Sequence, residues 1–164
     1  MDLRYFKFIQ AEKIECLKND NPQLVVKILT SDETYVPTFQ TEGAAGADLR
    51  SSENVTLTPH VVSMVDCGFS CRIPRGYHAK IVARSSMGKN GIIIPNAPGI
   101  IDSDYTGRIR VLLLNLTDKP YEIKQADRIA QWLIEKNVEY CWQHSDNLGS
   151  TERNSAGFGT TGVR

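Results

Sequence analysis

Short apolar runs rich in β-branched residues alternate with turn-forming residues from Gln23 onward. The runs predict β-strands at residues 24–29, 55–57, 61–73, 77–82, 109–116 and 129–134. Prolines and glycines separate the runs, and both residue types are unfavourable inside a long helix. The pattern therefore predicts an all-β domain, built as a sandwich or a barrel.

The alternation of apolar and polar residues does not by itself define the structure of two segments. Residues 128–136 have helical propensity, but the brevity of the segment and its β-branched Ile129 and Ile134 favour a strand. In residues 109–116 apolar side chains occupy both faces after Arg110. Either one face contacts another subunit, or this is the central strand of a two-layer sandwich.

Length and charge narrow the class of protein. The 164 residues suit one domain, and 19 basic residues balance 19 acidic ones, which leaves no basic field for nucleic-acid binding. A polyanionic substrate would have to be bound by local groups. We expect residues 1–22 to form an N-terminal extension, residues 23–146 the domain, and residues 147–164 a C-terminal arm that is mobile without ligand.

Cysteines and hydropathy indicate a cytoplasmic protein. The four cysteines lack the paired spacings of a zinc site or a disulfide framework, so we expect reduced, mostly buried thiols. No apolar run approaches the roughly 20 residues of a membrane span, and the N-terminus lacks a signal-peptide pattern. We expect a soluble intracellular protein that binds neither membrane nor nucleic acid.

Two polar clusters follow predicted strands or turns. Asp48 comes after the small residues 44–47 and could cap a turn or hold water around a divalent cation. Arg84, Ser85 and Ser86 supply a guanidinium, hydroxyls and N–H groups that suit phosphate. Serines there could equally cap a short helix.

Two further clusters lie in residues 95–107 and 153–162. In the first, Asn96 can complement a pyrimidine edge, and Tyr105 can pack against a sugar where an extra hydroxyl would clash. Asp102 could orient a water molecule or be an ordinary turn aspartate. In the second, Arg153 and the glycine-flanked Phe158 could close over a nucleotide, although such a composition also suits a disordered tail.

Taken in order, the clusters resemble the five motifs of the trimeric dUTP diphosphatase family. The matching segments are residues 46–49, 84–86, 99–107, 126–131 and 153–162, and the resemblance spans residues 24–162. It implies a jelly-roll-like β-barrel or sandwich. It also implies a homotrimer with active sites at subunit interfaces and a swapped C-terminal arm that closes a neighbour's site.

The resemblance implies a role for each matching residue. Asp102 would orient water for attack on the α-phosphate of dUTP, giving dUMP and pyrophosphate. Asn96, Gly99 and the Ile101 backbone would bind uracil, while Tyr105 would exclude ribose. The other implied substrate contacts are Arg84, Ser85, Ser86, Gln131, Arg153, Phe158, Gly159, Thr160 and Thr161. Asp48 would contact magnesium only through water, the ion being held mainly by the triphosphate. The reaction would limit uracil in DNA and supply dUMP for dTMP synthesis.

Several positions depart from the commonest family pattern. Ala83 stands where proline is usual, Ser86, Ala126 and Asn154 where glycine is frequent, and Trp132 where leucine is usual. None of these departures removes a functional group. We expect Trp132 to pack in the core or at the trimer axis.

Two other functions compete with this interpretation. The related dCTP deaminases carry a glutamate for deamination at the position of Leu112, when the strands are aligned on Asn115, so the chain lacks that carboxylate. A non-catalytic regulatory trimer could bind a protein partner. Residues 1–22 are the place for such recognition, unless they form a frayed or packed extra element. Asp102 and Phe158 favour an enzyme.

Overall fold

A computed structural model describes residues 24–156 of the chain. Within this range the chain forms ten strands, one 3-10 turn at Glu33–Tyr35 and one five-residue helix, α1, at Ser85–Lys89. The strands are β1 Lys27–Thr30, β2 Ala47–Arg50, β3 Val55–Leu57, β4 Val62–Arg72, β5 Tyr77–Ala83, β6 Ile92–Ile93, β7 Gly99–Ile101, β8 Arg108–Asn115, β9 Tyr121–Ile123 and β10 Arg128–Lys136. The prediction of an all-β domain is confirmed.

The strands form two four-stranded antiparallel sheets and one two-stranded ribbon. The sheets have the orders β1-β4-β8-β6 and β2-β10-β5-β7, and β3 pairs with β9. Their inner faces share one core, which includes Val65 and Val111 from the first sheet and Ile81 from the second. Two facing sheets of this kind make a jelly-roll-like sandwich.

Trp132 connects the two layers. Its ring meets Phe69 of the opposite sheet edge-to-face, with ring centroids 6.0 Å apart. This is a favourable arrangement for aromatic pairs, because the positive edge of one ring faces the negative face of the other. The prediction that Trp132 packs in the core is confirmed.

The strand predictions hold, with differences at short elements. Residues 128–136 form β10, as predicted, and pair with both β2 and β5. Strand β1 begins only at Lys27, and the segment expected to be a tight turn around Asp48 instead forms β2. Aspartate is disfavoured in strands, so β2 depends on partners that its own sequence does not reveal.

The outer face of β4 and β8 answers the question left open by the sequence. On β8, Val111 and Leu113 are buried in the core, whereas Leu112 and Leu114 on the opposite face are only half-buried. They lie opposite Met64 and Val62, which are 57% and 51% exposed. The two-layer sandwich therefore covers only one face of β8, and an apolar outer face remains in the single chain.

The cysteines of residues 24–156 are free and mostly buried, as expected. Cys67 and Cys71 are free thiols inside the core, and burial raises the pKa of Cys67 to about 12 and that of Cys71 to about 11. Cys141, in the segment after β10, is exposed, so two of the three cysteines in residues 24–156 are buried. Within residues 24–156, no helix has the length and apolar character that crossing a membrane requires.

Candidate active site

Asp48 is the centre of the first polar group. Strands β2, β10 and β5 are neighbours in one sheet, which brings Asp48 of β2 close to Arg128 of β10 and to Arg84, the residue after β5. Asp48 is 1% exposed; its Oδ1 lies 3.0 Å from Arg84 Nε and its Oδ2 lies 3.1 Å from Arg128 Nη1. One buried carboxylate thus holds two guanidinium groups, and the group keeps one net positive charge. Asp48 does not cap a turn.

The residues after Arg84 form the short helix α1. Arg84 occupies its N-cap position without a side-chain capping hydrogen bond, so the alternative that serine caps this helix is wrong. Ser85 and Ser86 instead lie in the first turn, where the Ser86 hydroxyl accepts a hydrogen bond from Arg84 Nη1 at 3.2 Å. Arg84, Ser86 and Arg128 line a cleft of about 260 Å³. Basic and hydroxyl groups are thereby collected at one end of the second sheet.

Gln131 is positioned by the small residues before Asp48. It pairs with Asp48 in the β10–β2 register. A Cβ added at Gly46 would lie 3.3 Å from the Gln131 Cβ and 3.3 Å from the Trp132 carbonyl oxygen. Gly46 therefore allows the backbone before β2 to approach β10 closely.

The second polar group lies in the turn between β7 and β8. The Tyr105 N–H donates to the Asp102 carbonyl oxygen at 3.2 Å, and the Tyr105 hydroxyl donates to the Arg108 carbonyl oxygen at 2.9 Å. A Cβ at Gly107 would lie only 2.5 Å from the Tyr105 hydroxyl oxygen, so glycine is needed for the ring to lie there. The turn holds Asp102 and Tyr105 beside each other.

The predicted uracil-binding residues lie next to this turn. Ile101, Asp102 and Tyr105 line one cleft of about 270 Å³. A Cβ at Gly99 would lie 3.5 Å from Asn96 Nδ2, which places the Asn96 amide next to the start of β7. The structure therefore brings Ile101, Asp102 and Tyr105 to one cleft, whereas Asn96 and Gly99 lie at the start of β7 and do not line it.

The two polar groups lie at opposite ends of β5. The register Ile101↔Ala79 places Asp102 beside His78. Arg84 follows six residues later, a separation of about 20 Å at the rise of a strand. The two clefts also share no lining residue. One chain does not bring Asp102 and the Arg84 group to the same phosphate.

The predicted residues of the C-terminal arm lie mostly outside the described part of the chain. Arg153 is exposed, and its Nε donates to the Ala156 carbonyl oxygen at 2.9 Å. Phe158, Gly159, Thr160 and Thr161 lie beyond residue 156, as residues 1–22 lie before residue 24.

Two departures from the family pattern occupy left-handed backbone. Ala126 has φ 70° and Asn154 has φ 46°. Glycine adopts this region freely, asparagine tolerates it, and alanine pays about 1 kcal/mol. Glycine at position 126 would therefore be less strained than the alanine present there.

The described residues offer few ligands for a metal ion. Among residues 24–156, no cluster of three histidine, cysteine or acidic residues could hold one. Both Asp48 carboxylate oxygens already accept from guanidinium groups. The two guanidinium groups on Asp48 therefore do not fit direct ligation of a metal ion by this carboxylate.

The sequence interpretation missed one charged group in the Asp102 cleft. Arg108 and Arg110 line this cleft, and both contact Asp66 of β4, with Arg108 Nη2 at 2.6 Å from Asp66 Oδ1 and Arg110 Nε at 3.5 Å from Asp66 Oδ2. A carboxylate between Val65 and Cys67, inside an otherwise apolar run, was the available signal.

An all-β sandwich that carries a basic, hydroxyl-rich group and a turn with an exposed carboxylate and a tyrosine has the features expected of a nucleotide hydrolase. The dUTPase family profile matches residues 32–162. A deoxyuridine 5'-triphosphate nucleotidohydrolase of Zymomonas mobilis is 44% identical over 128 residues, which cover 77% of this chain and 88% of that protein. The chain belongs to the dUTPase family. The predicted enzyme class, a dUTP diphosphatase, is thereby confirmed.

Solved structures agree on the fold. The dUTPase of Staphylococcus bacteriophage 80alpha, determined with dUpNHpp, has a TM-score of 0.77 at 21% identity, covering 85% of this chain and 99% of that chain. A dUTPase from phage phi11 of S. aureus, whose structure describes coordination of a structural Mg(II) ion, has a TM-score of 0.68 at 20% identity, covering 76% and 98%. At these identities the similarity concerns the fold.

Proposed function

We propose that the chain hydrolyses dUTP to dUMP and pyrophosphate by attack of an Asp102-oriented water on the α-phosphorus. The observation that carries the proposal is the shared cleft of Ile101, Asp102 and Tyr105 in a member of the dUTPase family. The water oxygen forms a bond to the α-phosphorus while the bond to the α–β bridging oxygen breaks. The water proton passes to the Asp102 carboxylate, and the electron pair leaves with pyrophosphate.

Base and sugar selection belong to β7, the residues before it and the turn after it. The Asn96 amide and the backbone at Gly99 and Ile101 bind the uracil edge. Tyr105 packs against the deoxyribose, where a 2'-hydroxyl would collide with its ring. The ring has little freedom to yield, because Gly107 supports it and its hydroxyl donates to Arg108. A clash with an added hydroxyl usually lowers kcat/KM by about 100-fold, and fixed contacts around the ring are needed to reach that value.

The phosphates bind to the group centred on Asp48. Arg84, Ser85, Ser86 and Gln131 contact them, and the net positive charge of the Asp48 group attracts the polyanion. Asp48 has a positioning role, since it holds Arg84 in place. Asp48 would contact magnesium only through water, and the triphosphate would hold most of the ion's ligand positions. When bound, the ion neutralises phosphate charge.

A homotrimer accounts for the separation of the two groups. Because Asp102 and Arg84 lie about 20 Å apart along β5, Asp102 of one chain serves the phosphates held by another. The apolar outer face of β4 and β8 supplies a contact surface for such an assembly. After β10, the alternate residues Val138, Tyr140 and Trp142 are 81%, 73% and 90% exposed, which is the pattern of a strand that pairs with another chain.

The arm completes the site in this proposal. It crosses to a neighbouring subunit, where Arg153, Thr160 and Thr161 bind the outer phosphates, Gly159 allows close backbone approach, and Phe158 stacks on the uracil. Closure of the arm would exclude water from the reacting groups.

Subunit mixing tests whether the site is shared. We expect Arg84→Gln chains and Asp102→Asn chains to be inactive alone. Mixed trimers, isolated through a different tag on each chain, each contain one intact site of three, so they regain about a third of wild-type turnover. Measurement of pyrophosphate release in the purified mixed trimer gives the answer. A mixture as inactive as its parents would show that both residues act within one chain.

Substrate selectivity tests the function itself. We expect pyrophosphate release from dUTP and at least about 100-fold lower kcat/KM for dCTP, dTTP and UTP, each measured with and without magnesium. Equal rates with UTP would contradict the role of Tyr105. Ammonia release from dCTP would instead identify a deaminase, despite Leu112.

The organisation and cellular setting complete the proposal. Residues 1–22 form an extension, 23–146 the catalytic domain and 147–164 the arm of a cytoplasmic enzyme. Its activity limits uracil in DNA and supplies dUMP for dTMP synthesis. A protein partner could bind residues 1–22; loss of binding on their deletion, with hydrolysis retained, would support that role.

A further inference from the structure

Asp66 of β4 pairs with Arg108, which follows the turn that carries Asp102 and Tyr105. Its Oδ1 accepts from Arg108 Nη2 at 2.6 Å and its Oδ2 from Arg108 Nε at 3.2 Å, which is a two-pronged pair. Arg108 is the first residue of β8, directly after the turn, so the pair fixes the residue at which the turn ends. A planar guanidinium held at two points has little freedom to rotate.

Asp66 is itself held firmly. Its Oδ1 accepts from the Gly68 N–H at 2.7 Å and from the Ser52 hydroxyl at 3.1 Å, and its own N–H donates to Glu53 Oε1 at 2.9 Å. The β4–β8 register shifts between Asp66 and Ser70, and such an irregularity redirects side chains. The carboxylate is therefore pre-oriented toward β8.

The ionisation state of Asp66 agrees with this geometry. Burial raises its pKa, but hydrogen bonds from Arg108, Gly68 and Ser52 outweigh that effect, and the pKa lies below its ordinary value. The carboxylate is thus charged at neutral pH and able to keep Arg108 in place.

Arg108 contacts both Asp66 and Tyr105, the residue assigned to sugar selection. Its carbonyl oxygen accepts from the Tyr105 hydroxyl at 2.9 Å, and its side chain lines the cleft that contains Asp102 and Tyr105. A shift of the Arg108 backbone would move the anchor of the Tyr105 ring. The ring already rests on Gly107, where a Cβ would lie 2.5 Å from its hydroxyl oxygen.

We propose that the Asp66–Arg108 pair is a positioning device that fixes Tyr105, and thereby sets discrimination between dUTP and UTP. The inference rests on the proposed function and assigns it two further residues. Neither residue needs to touch the reacting phosphate. Asp66 acts on Arg108, and Arg108 acts on Tyr105 through its backbone.

Replacement of Asp66 by asparagine tests the proposal. We expect Asp66→Asn to lower the ratio of kcat/KM for dUTP to that for UTP by about tenfold, with a higher KM for dUTP. Arg108→Lys keeps the positive charge but loses the two-pronged contact, and it should lower the ratio similarly. If Asp66→Asn does not fold, Arg108→Lys tests the proposal in its place. Asp66→Asn should have little further effect on the ratio in a Tyr105→Phe background, because the two changes break the same connection.

Glu135→Gln is the matched control. It removes the same charge from a surface pair, Lys80–Glu135, whose atoms lie 2.7 Å apart between β5 and β10, and it should leave the ratio unchanged. An unchanged ratio in a folded Asp66→Asn trimer would overturn the proposal, as would equal losses for dUTP and UTP. A wild-type enzyme without dUTP hydrolysis would instead refute the proposed function, so the two failures are distinguishable.

Discussion

Asp102→Asn should retain dUTP binding, but its turnover should fall about 10²- to 10⁴-fold, which is the usual contribution of a general base. Asparagine keeps the size of the side chain and its place in the turn, but it cannot accept the water proton. Asp102 is exposed in the single chain and lies in the cleft with Tyr105, so the change should not disturb the core. Single-turnover release of pyrophosphate measures the chemical step, and calorimetric titration with dUpNHpp measures binding.

Asp104→Asn is the matched control for this prediction, because it removes the same charge from the same turn. Asp104 lies in the same turn, is exposed, and undergoes the same loss of charge, but it does not line the Asp102–Tyr105 cleft. We expect nearly wild-type turnover. If Asp102→Asn turned over dUTP as fast as Asp104→Asn, Asp102 would be an ordinary turn aspartate.

Local sequence patterns predicted what depends on local structure. The brevity of residues 128–136 and the β-branched Ile129 and Ile134 correctly predicted β10 despite competing helical propensity, because β-branched side chains fit a pleated surface. Turn chemistry likewise placed Asp102 and Tyr105 together, since a turn brings neighbours in sequence into contact.

Local sequence patterns did not predict contacts between residues far apart in the chain. Asp48 was expected in a turn because its own neighbours are small, and its strand depends on Arg128, 80 residues away. The Asp66–Arg108 pair spans 42 residues. Which strands become neighbours is decided by the packing of the whole sheet, and a single sequence does not show that packing.

The separation of Asp102 from Arg84 also required the register of β5 and β7. Sequence order placed both residues in one predicted site, and the resemblance supplied the subunit interface as an explanation. The register Ile101↔Ala79 places Asp102 beside His78, six residues before Arg84. The two groups are therefore about 20 Å apart along β5. This separation along β5 is the reason for proposing a site shared between chains.

Ending the chain at Glu152 should abolish dUTP hydrolysis, by at least about 100-fold, while the trimer stays intact. The cut removes Arg153 and Phe158, the charge and the ring assigned to the closed site, but keeps Val138, Tyr140 and Trp142. Because those exposed apolar residues are the ones proposed to pair with another chain, assembly should survive. Light scattering after size exclusion measures the mass of the particle, and pyrophosphate release measures activity.

Two controls separate the functions of the segment after β10. Ending the chain at Lys136 also removes the apolar residues, so it should weaken the trimer as well as the activity. Phe158→Ala in the full chain should raise KM for dUTP without changing the mass of the trimer, since it removes only the ring proposed to stack on uracil. Normal turnover in the chain that ends at Glu152 would reject arm closure. In that case the site would be complete with Asp102, Tyr105 and the Arg84 group, and Arg153 would have no part in catalysis.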